Sequence, residues 1–129
     1  MKANYHELFQ RHEENPILSV ENWPYPANTV FNCGATTMEG ETILLARVED
    51  LRGHSHLTVA RSQDGIKNWK IDPKPTFMAD PANYPEELWG IEDPRITFIE
   101  EFKEYFITYT AYSRGGPMVS LAKTKDFKS

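Results

Sequence analysis

Two stretches of this chain end alike: Val59-Ala60-Arg61-Ser62-Gln63-Asp64-Gly65 recurs as Leu121-Ala122-Lys123-Thr124-Lys125-Asp126-Phe127. Each is a strand-like run that closes on a hydroxyl residue followed two positions later by aspartate, which is turn chemistry. A recurrence after roughly sixty residues, each unit holding several short antiparallel strands, suits a β-propeller built of four-stranded sheets, although the period exceeds the common propeller repeats. A chance match between two strand-turn endings is the plainer alternative.

The rest of the chain agrees with an all-β reading. Thr42 to Val48 is rich in branched residues, and His56 to Ser62 alternates apolar with polar, as a half-buried strand does. A second group follows in Arg95–Ile99, Glu104–Ala111 and Met118–Thr124. Between the groups, Asp72 to Leu88 carries Pro73, Pro75, Pro81 and Pro85, which marks a long loop, and long loops in compact domains often serve function. Upstream, Tyr5 to His12 could form a short helix. Asn15-Pro16 and Trp23-Pro24-Tyr25-Pro26 then impose an irregular path. The chain therefore divides into an N-terminal arm, residues 1–29, and a β region, residues 30–129.

Composition mainly excludes. A net charge of -5, from 14 Lys and Arg against 19 Asp and Glu, offers no cationic surface for nucleic acid. Cys33 is the only cysteine, so there is no intrachain disulfide and no Cys-x-x-Cys metal or redox pattern. The N-terminus lacks the apolar core of a secretory signal, and no run reaches membrane-span length. These features predict a soluble cytoplasmic protein with no membrane or nucleic-acid partner.

Chemistry concentrates in two clusters. In Trp89-Gly90-Ile91-Glu92-Asp93-Pro94-Arg95-Ile96 two acids and an arginine sit where the long loop meets a strand. Pro94 biases Asp93 toward an extended conformation and restrains the strand entry, so its carboxyl group is presented rigidly. Trp89 offers a face on which a sugar ring could stack. From local chemistry alone, an Asp93–Arg95 ion pair or a turn cap is the simpler assignment. The second cluster is Arg47-Val48-Glu49-Asp50-Leu51-Arg52-Gly53-His54-Ser55-His56, a charged hairpin connection. Arg47 ends the apolar run Ile43-Leu44-Leu45-Ala46, where an inward cation needs a partner or a polar ligand. An ion pair with Glu49 or Asp50 would satisfy it equally well. His54 and His56 share a strand face near Asp50, but this falls short of a metal-ligand set, and no metal is expected. Asn32-Cys33-Gly34-Ala35 looks like a strand end and turn.

Several segments, in one order, resemble glycoside hydrolase family 130: Glu14-Asn15-Pro16-Ile17-Leu18, Pro24-Tyr25-Pro26-Ala27-Asn28, Phe31-Asn32-Cys33-Gly34-Ala35, Leu45-Ala46-Arg47-Val48-Glu49-Asp50 and Gly90-Ile91-Glu92-Asp93-Pro94-Arg95-Ile96. The resemblance runs from about Asn15 to the C-terminus. It implies the N-terminal blades of a five-bladed β-propeller with its site in the central channel. It also implies inverting phosphorolysis of β-mannosides to mannose 1-phosphate, with some members hydrolysing instead. By the same resemblance Asp93 would be the proton donor, relaying its proton through the sugar's 3-hydroxyl, while Asn32 and Arg47 would hold the mannosyl residue.

A single acid suits phosphorolysis, because phosphate is already an anionic nucleophile and needs no base. Inorganic phosphate would then be a cosubstrate, a β-mannoside oligosaccharide the partner, and no cofactor is expected. The family's phosphate-binding cations belong to later blades, beyond Ser129. A chain of about two blades is expected to be an incomplete propeller, a fragment without activity of its own, or a unit that closes by assembling with further copies.

Overall fold

The computed structural model describes residues 7–128. It is all-β, with two antiparallel sheets and two single 3-10 turns, at Val20–Asn22 and Pro85–Glu87. The first sheet contains β1 (Thr29–Met38), β2 (Glu41–Glu49), β3 (Ser55–Ser62) and β4 (Lys70–Ile71), in that spatial order. The second contains β5 (Ile91–Ile99), β6 (Glu104–Ser113) and β7 (Gly116–Thr124), also in chain order. Among the described residues no helix is long and apolar enough to cross a membrane.

The recurrent strand ending is a repeated turn. After β3, the Ser62 hydroxyl accepts the Gly65 N–H (3.1 Å), and Asp64 accepts the N–H groups of Ile66 and Lys67, both at 2.9 Å. These N–H bonds, Lys67's first, bring the Asp64 carboxyl down to about 2. After β7, the Thr124 hydroxyl accepts the Phe127 N–H (3.0 Å) and Asp126 accepts that of Lys128 (2.9 Å). Like residues at like spacing thus make like bonds at the end of the third strand of each sheet.

Alternation sends the two faces of β2 to different partners. Ile43 and Leu45 join Leu57 and Val59 of β3 against Ile91, Ile107, Tyr109 and Ala111 of the second sheet, with Phe127 closing the cluster. Ala46 and Val48 instead meet Trp23 of the arm, flanked by Leu18, Tyr25 and Ala27. Each large aliphatic side chain buried this way contributes about 1.5–3 kcal/mol.

The arm explains why β3 is buried along nearly its whole length rather than on one face. Tyr25 Oη lies 2.9 Å from His56 Nε2 and 2.5 Å from Thr58 Oγ1, so the polar positions of β3 are covered as well. Burial lowers the His56 pKa and raises that of Tyr25.

Other local expectations change. Residues 7–12 are not helical, while Tyr5 and His6 lie outside the described residues. Asn32–Ala35 is not a turn but the interior of β1. Ser113 pairs with Gly116, so Arg114-Gly115 is a tight hairpin connection between β6 and β7. The segment from Asp72 to Leu88 is indeed mostly irregular, yet Phe77 bridges Leu57 at the edge of β3.

Candidate active site

The first strands of the two sheets approach closely, and Gly34 permits it. A Cβ there would lie 2.9 Å from Ile96 Cγ1 and 3.1 Å from the Pro94 carbonyl oxygen. Close to this contact each strand carries a β-bulge. In β1, Val30 pairs with Val48 and Cys33 with Ala46, leaving Phe31 and Asn32 opposite Arg47. In β5, Glu92 pairs with Thr110 and Arg95 with Thr108, leaving Asp93 and Pro94 opposite Tyr109. Bulges re-aim side chains and recur beside active sites.

Their effect is to converge on Arg47. Its Nη1 donates to Asp93 Oδ1 at 3.1 Å, its Nη2 meets Glu92 Oε1 at 3.0 Å, and its Nε donates to Ser55 Oγ at 3.0 Å. The guanidinium carbon stands 4.6 Å from the Phe31 ring centroid, a cation–π distance. Consecutive strand residues normally face opposite ways. Glu92 and Asp93 reach the same cation because Asp93 takes φ 51, not the extended conformation expected ahead of Pro94 but a left-handed one that aspartate adopts more readily than most residues.

Arg47 is largely sheltered, at 18% side-chain exposure, whereas Asp93 keeps 46%. The cluster therefore offers an accessible carboxylate on a semi-buried base. One cation faces two carboxylates, leaving local negative charge and several hydrogen-bonding atoms, a surface suited to the hydroxyls of a neutral sugar.

Neither simple local ion pair forms. Arg95 Nη1 donates to the Pro94 carbonyl (2.9 Å), and Asp50 takes Arg52 through Nε and Nη2 at 2.9 and 2.7 Å. Asp93 is the third residue of β5, just past the junction of the long loop and the strand. Of the three sequence candidates, Asp93 and Arg47 come together. Asn32 lies in the facing bulge, exposed, while its neighbour Phe31 makes the contact to Arg47. Glu92, Ser55 and Phe31 were not singled out from sequence. Their proximity in sequence to the three candidates was the only available signal. Among the described residues, no group of three or more His, Cys, Asp or Glu side chains could hold a metal.

Trp89 and Tyr112 form an exposed aromatic pair, centroids 5.5 Å apart, and the Trp89 N–H donates to the Tyr112 carbonyl at 2.8 Å. Beneath them Gly90 adopts φ 109 and bridges Ser55. The Ser55 hydroxyl that holds Arg47 is thereby tied to the start of β5.

The sequence profile of glycoside hydrolase family 130, described as beta-1,4-mannooligosaccharide phosphorylase, matches residues 3–129. The chain belongs to glycoside hydrolase family 130. Beta-1,2-mannobiose phosphorylase from Thermoanaerobacter sp. (strain X514) is 40% identical over 58 residues, covering 45% of this chain and 17% of that protein. A glycosyl hydrolase crystal structure from Bacteroides ovatus matches with TM-score 0.82 and 31% identity, over 94% of this chain and 39% of that one. Beta-1,2-mannobiose phosphorylase from Listeria innocua, in complex with beta-1,2-mannobiose, shares the fold at TM-score 0.76 and 23% identity, over 92% of this chain and 48% of that one. This family 130 chain spans less than half the length of each of these relatives.

Proposed function

We propose that this chain carries one wall of the site of an enzyme that cleaves β-mannosides by inverting phosphorolysis, with Asp93 as proton donor. The observation that carries it is the Arg47 cluster, which holds an accessible Asp93 on a strained bulge between two sheets. Left-handed backbone at a non-glycine residue costs about 1–3 kcal/mol, and such outliers cluster at active sites. Arg47 and Asn32 hold the mannosyl residue. A phosphate oxygen attacks the anomeric carbon, the bond from that carbon to the leaving sugar's oxygen breaks, and that oxygen takes the proton originating on Asp93, whose acid form the negative charges of bound phosphate and Glu92 favour against Arg47. The products are mannose 1-phosphate and a shortened sugar. Phosphate is the cosubstrate, and no other cofactor is required.

In this proposal the two sheets are consecutive blades of a five-bladed propeller, residues 30–129, preceded by the arm at 1–29. The remaining blades supply the phosphate-binding cations. The protein works in the cytoplasm, alone or as a homo-oligomer.

Hydrolysis is the second reading, favoured by one observation: Glu92 lies beside Asp93 on the same arginine, and inverting hydrolysis needs a second carboxyl group as base. The two separate on β-1,4-mannobiose and β-1,2-mannobiose, each with and without inorganic phosphate. Mannose 1-phosphate formed only with phosphate supports phosphorolysis, and free mannose without phosphate supports hydrolysis. Asp93→Asn lowers kcat at least about a hundredfold, the scale of general-acid loss. A folded variant with normal turnover removes Asp93 from the mechanism, and no release from any mannoside supports a noncatalytic fragment.

A further inference from the structure

Glu87 is a carboxylate in the wrong place for a loop residue. It ends the 3-10 turn Pro85–Glu87 and is only 2% exposed. Both of its oxygens are used: Tyr109 Oη donates to Oε1 at 2.6 Å, and the Asp80 N–H donates to Oε2 at 2.7 Å. Burial, and after it the Glu87 carboxylate, raises the Tyr109 pKa, so the phenol stays protonated and remains the donor.

What Tyr109 does in the sheet gives this bond its meaning. It is the β6 residue facing the two-residue bulge Asp93–Pro94, and so it has no one-to-one partner in β5. Its ring is also held edge-on by Phe77 of the long loop, centroids 5.2 Å apart. Glu87 grips the other side of the bulge as well, because its carbonyl accepts the Gly90 N–H at 2.9 Å, one residue before β5 begins. One buried residue thus ties the two sides together, its backbone carbonyl holding Gly90 at the start of β5 and its side chain holding Tyr109 in the strand opposite the bulge.

We propose that Glu87 is a positioning residue, which acts through Tyr109 and Gly90 to hold the β5 bulge in the conformation that keeps Asp93 against Arg47. A left-handed aspartate ahead of proline persists only where its surroundings over-determine it. The Glu87–Tyr109 bond is the buried polar contact that spans from the loop to that point. The inference rests on the proposed role of Asp93 for its catalytic consequence, but not for its structural one.

The test uses the full-length protein with Glu87→Gln and Tyr109→Phe, and Asp93→Asn as control. Glu87→Gln keeps the shape but turns one acceptor into a donor facing either the Asp80 N–H or the Tyr109 hydroxyl. Tyr109→Phe keeps the ring and loses one hydroxyl, which covers the case in which Glu87→Gln does not fold. Crystal structures are expected to show Asp93 leaving φ near 51 and its contact with Arg47 opening beyond 4 Å. Kinetics on mannobiose are expected to show kcat lowered about tenfold with KM changed less than twofold, because the reacting group moves while the sugar contacts remain. Glu87→Gln combined with Asp93→Asn loses no more than Asp93→Asn alone.

A variant that melts earlier yet keeps Asp93 in place and kcat unchanged overturns the proposal. If Asp93→Asn itself retains normal activity, the functional assignment fails instead, and the crystallographic arm alone decides for or against Glu87.

Discussion

Replacing Gly90 with alanine should destabilise the protein far more than the same change at Gly40, although both glycines have positive φ. Gly40 has φ 83 and a Cβ there meets nothing within 4 Å, so Gly40→Ala carries only the conformational cost, about 1 kcal/mol for a left-handed residue. Gly90 has φ 109, and its Cβ would lie 2.6 Å from the Ser55 carbonyl oxygen and 2.7 Å from the Ser55 nitrogen. Both are backbone atoms at the buried start of β3, so they cannot rotate aside as a side-chain tip would. The bridge between the sheets must open, adding an overpacking cost of about 1–3 kcal/mol to a conformational cost of similar size. The sum is about 2–6 kcal/mol. Urea unfolding followed by tryptophan fluorescence measures it: with a slope of about 2 kcal/mol per molar, the midpoint falls by about 1–3 M for Gly90→Ala and about 0.5 M for Gly40→Ala. Equal midpoint shifts for the two variants would refute the argument that backbone contact, rather than φ, makes Gly90 obligatory.

Two further outcomes follow from the same geometry. Arg47→Ala leaves Glu92 and Asp93 facing each other without their shared cation and should cost about 1–2 kcal/mol. Adding Asp93→Asn to that variant should recover about 0.5 kcal/mol by removing the like charge, and a strictly additive double-mutant cycle would contradict the shared-cation geometry. Burial lowers the His56 pKa in the folded state, with the Asp50 charge opposing, so the unfolded chain takes up its proton first on acidification. Stability contributed by neutral His56 is therefore complete above about pH 6.5 and is lost as pH falls through that value toward the folded pKa, with a slope of at most about 1.4 kcal/mol per pH unit. The difference in stability between wild type and His56→Gln should narrow across that range, and a pH-independent difference would count against a buried neutral imidazole.

Much of the fold was legible because strand signals are local. Branched and alternating residues placed β2, β3, β6 and β7 within a residue or two of their observed limits, and the Ser62–Asp64 and Thr124–Asp126 turns repeat because the same side chains close the same short hydrogen-bonded rings. The proline spacing from Asp72 to Leu88 also foretold a loop. What failed was whatever depended on a second element. The alternation of β3 reads as a half-buried strand, because nothing in His56 and Thr58 announces that Tyr25, more than thirty positions away, will cover them.

The candidate site divides the same way. Sequence by itself singled out the candidates, an arginine ending an apolar run and an aspartate ahead of a proline, together with the motif order that marks family 130. Tertiary structure alone decided their partners. Arg47 passes over Glu49 and Asp50 for Glu92 and Asp93, because two bulges and the glycine-permitted approach of β1 and β5 bring the sheets together there. Glu87 reads as an ordinary loop acid until the fold buries it under Tyr109. Residue type and short-range spacing are written in the chain, whereas a bulge reverses the strand periodicity on which such inference depends, and so the convergence on Arg47 exists only once both sheets are packed.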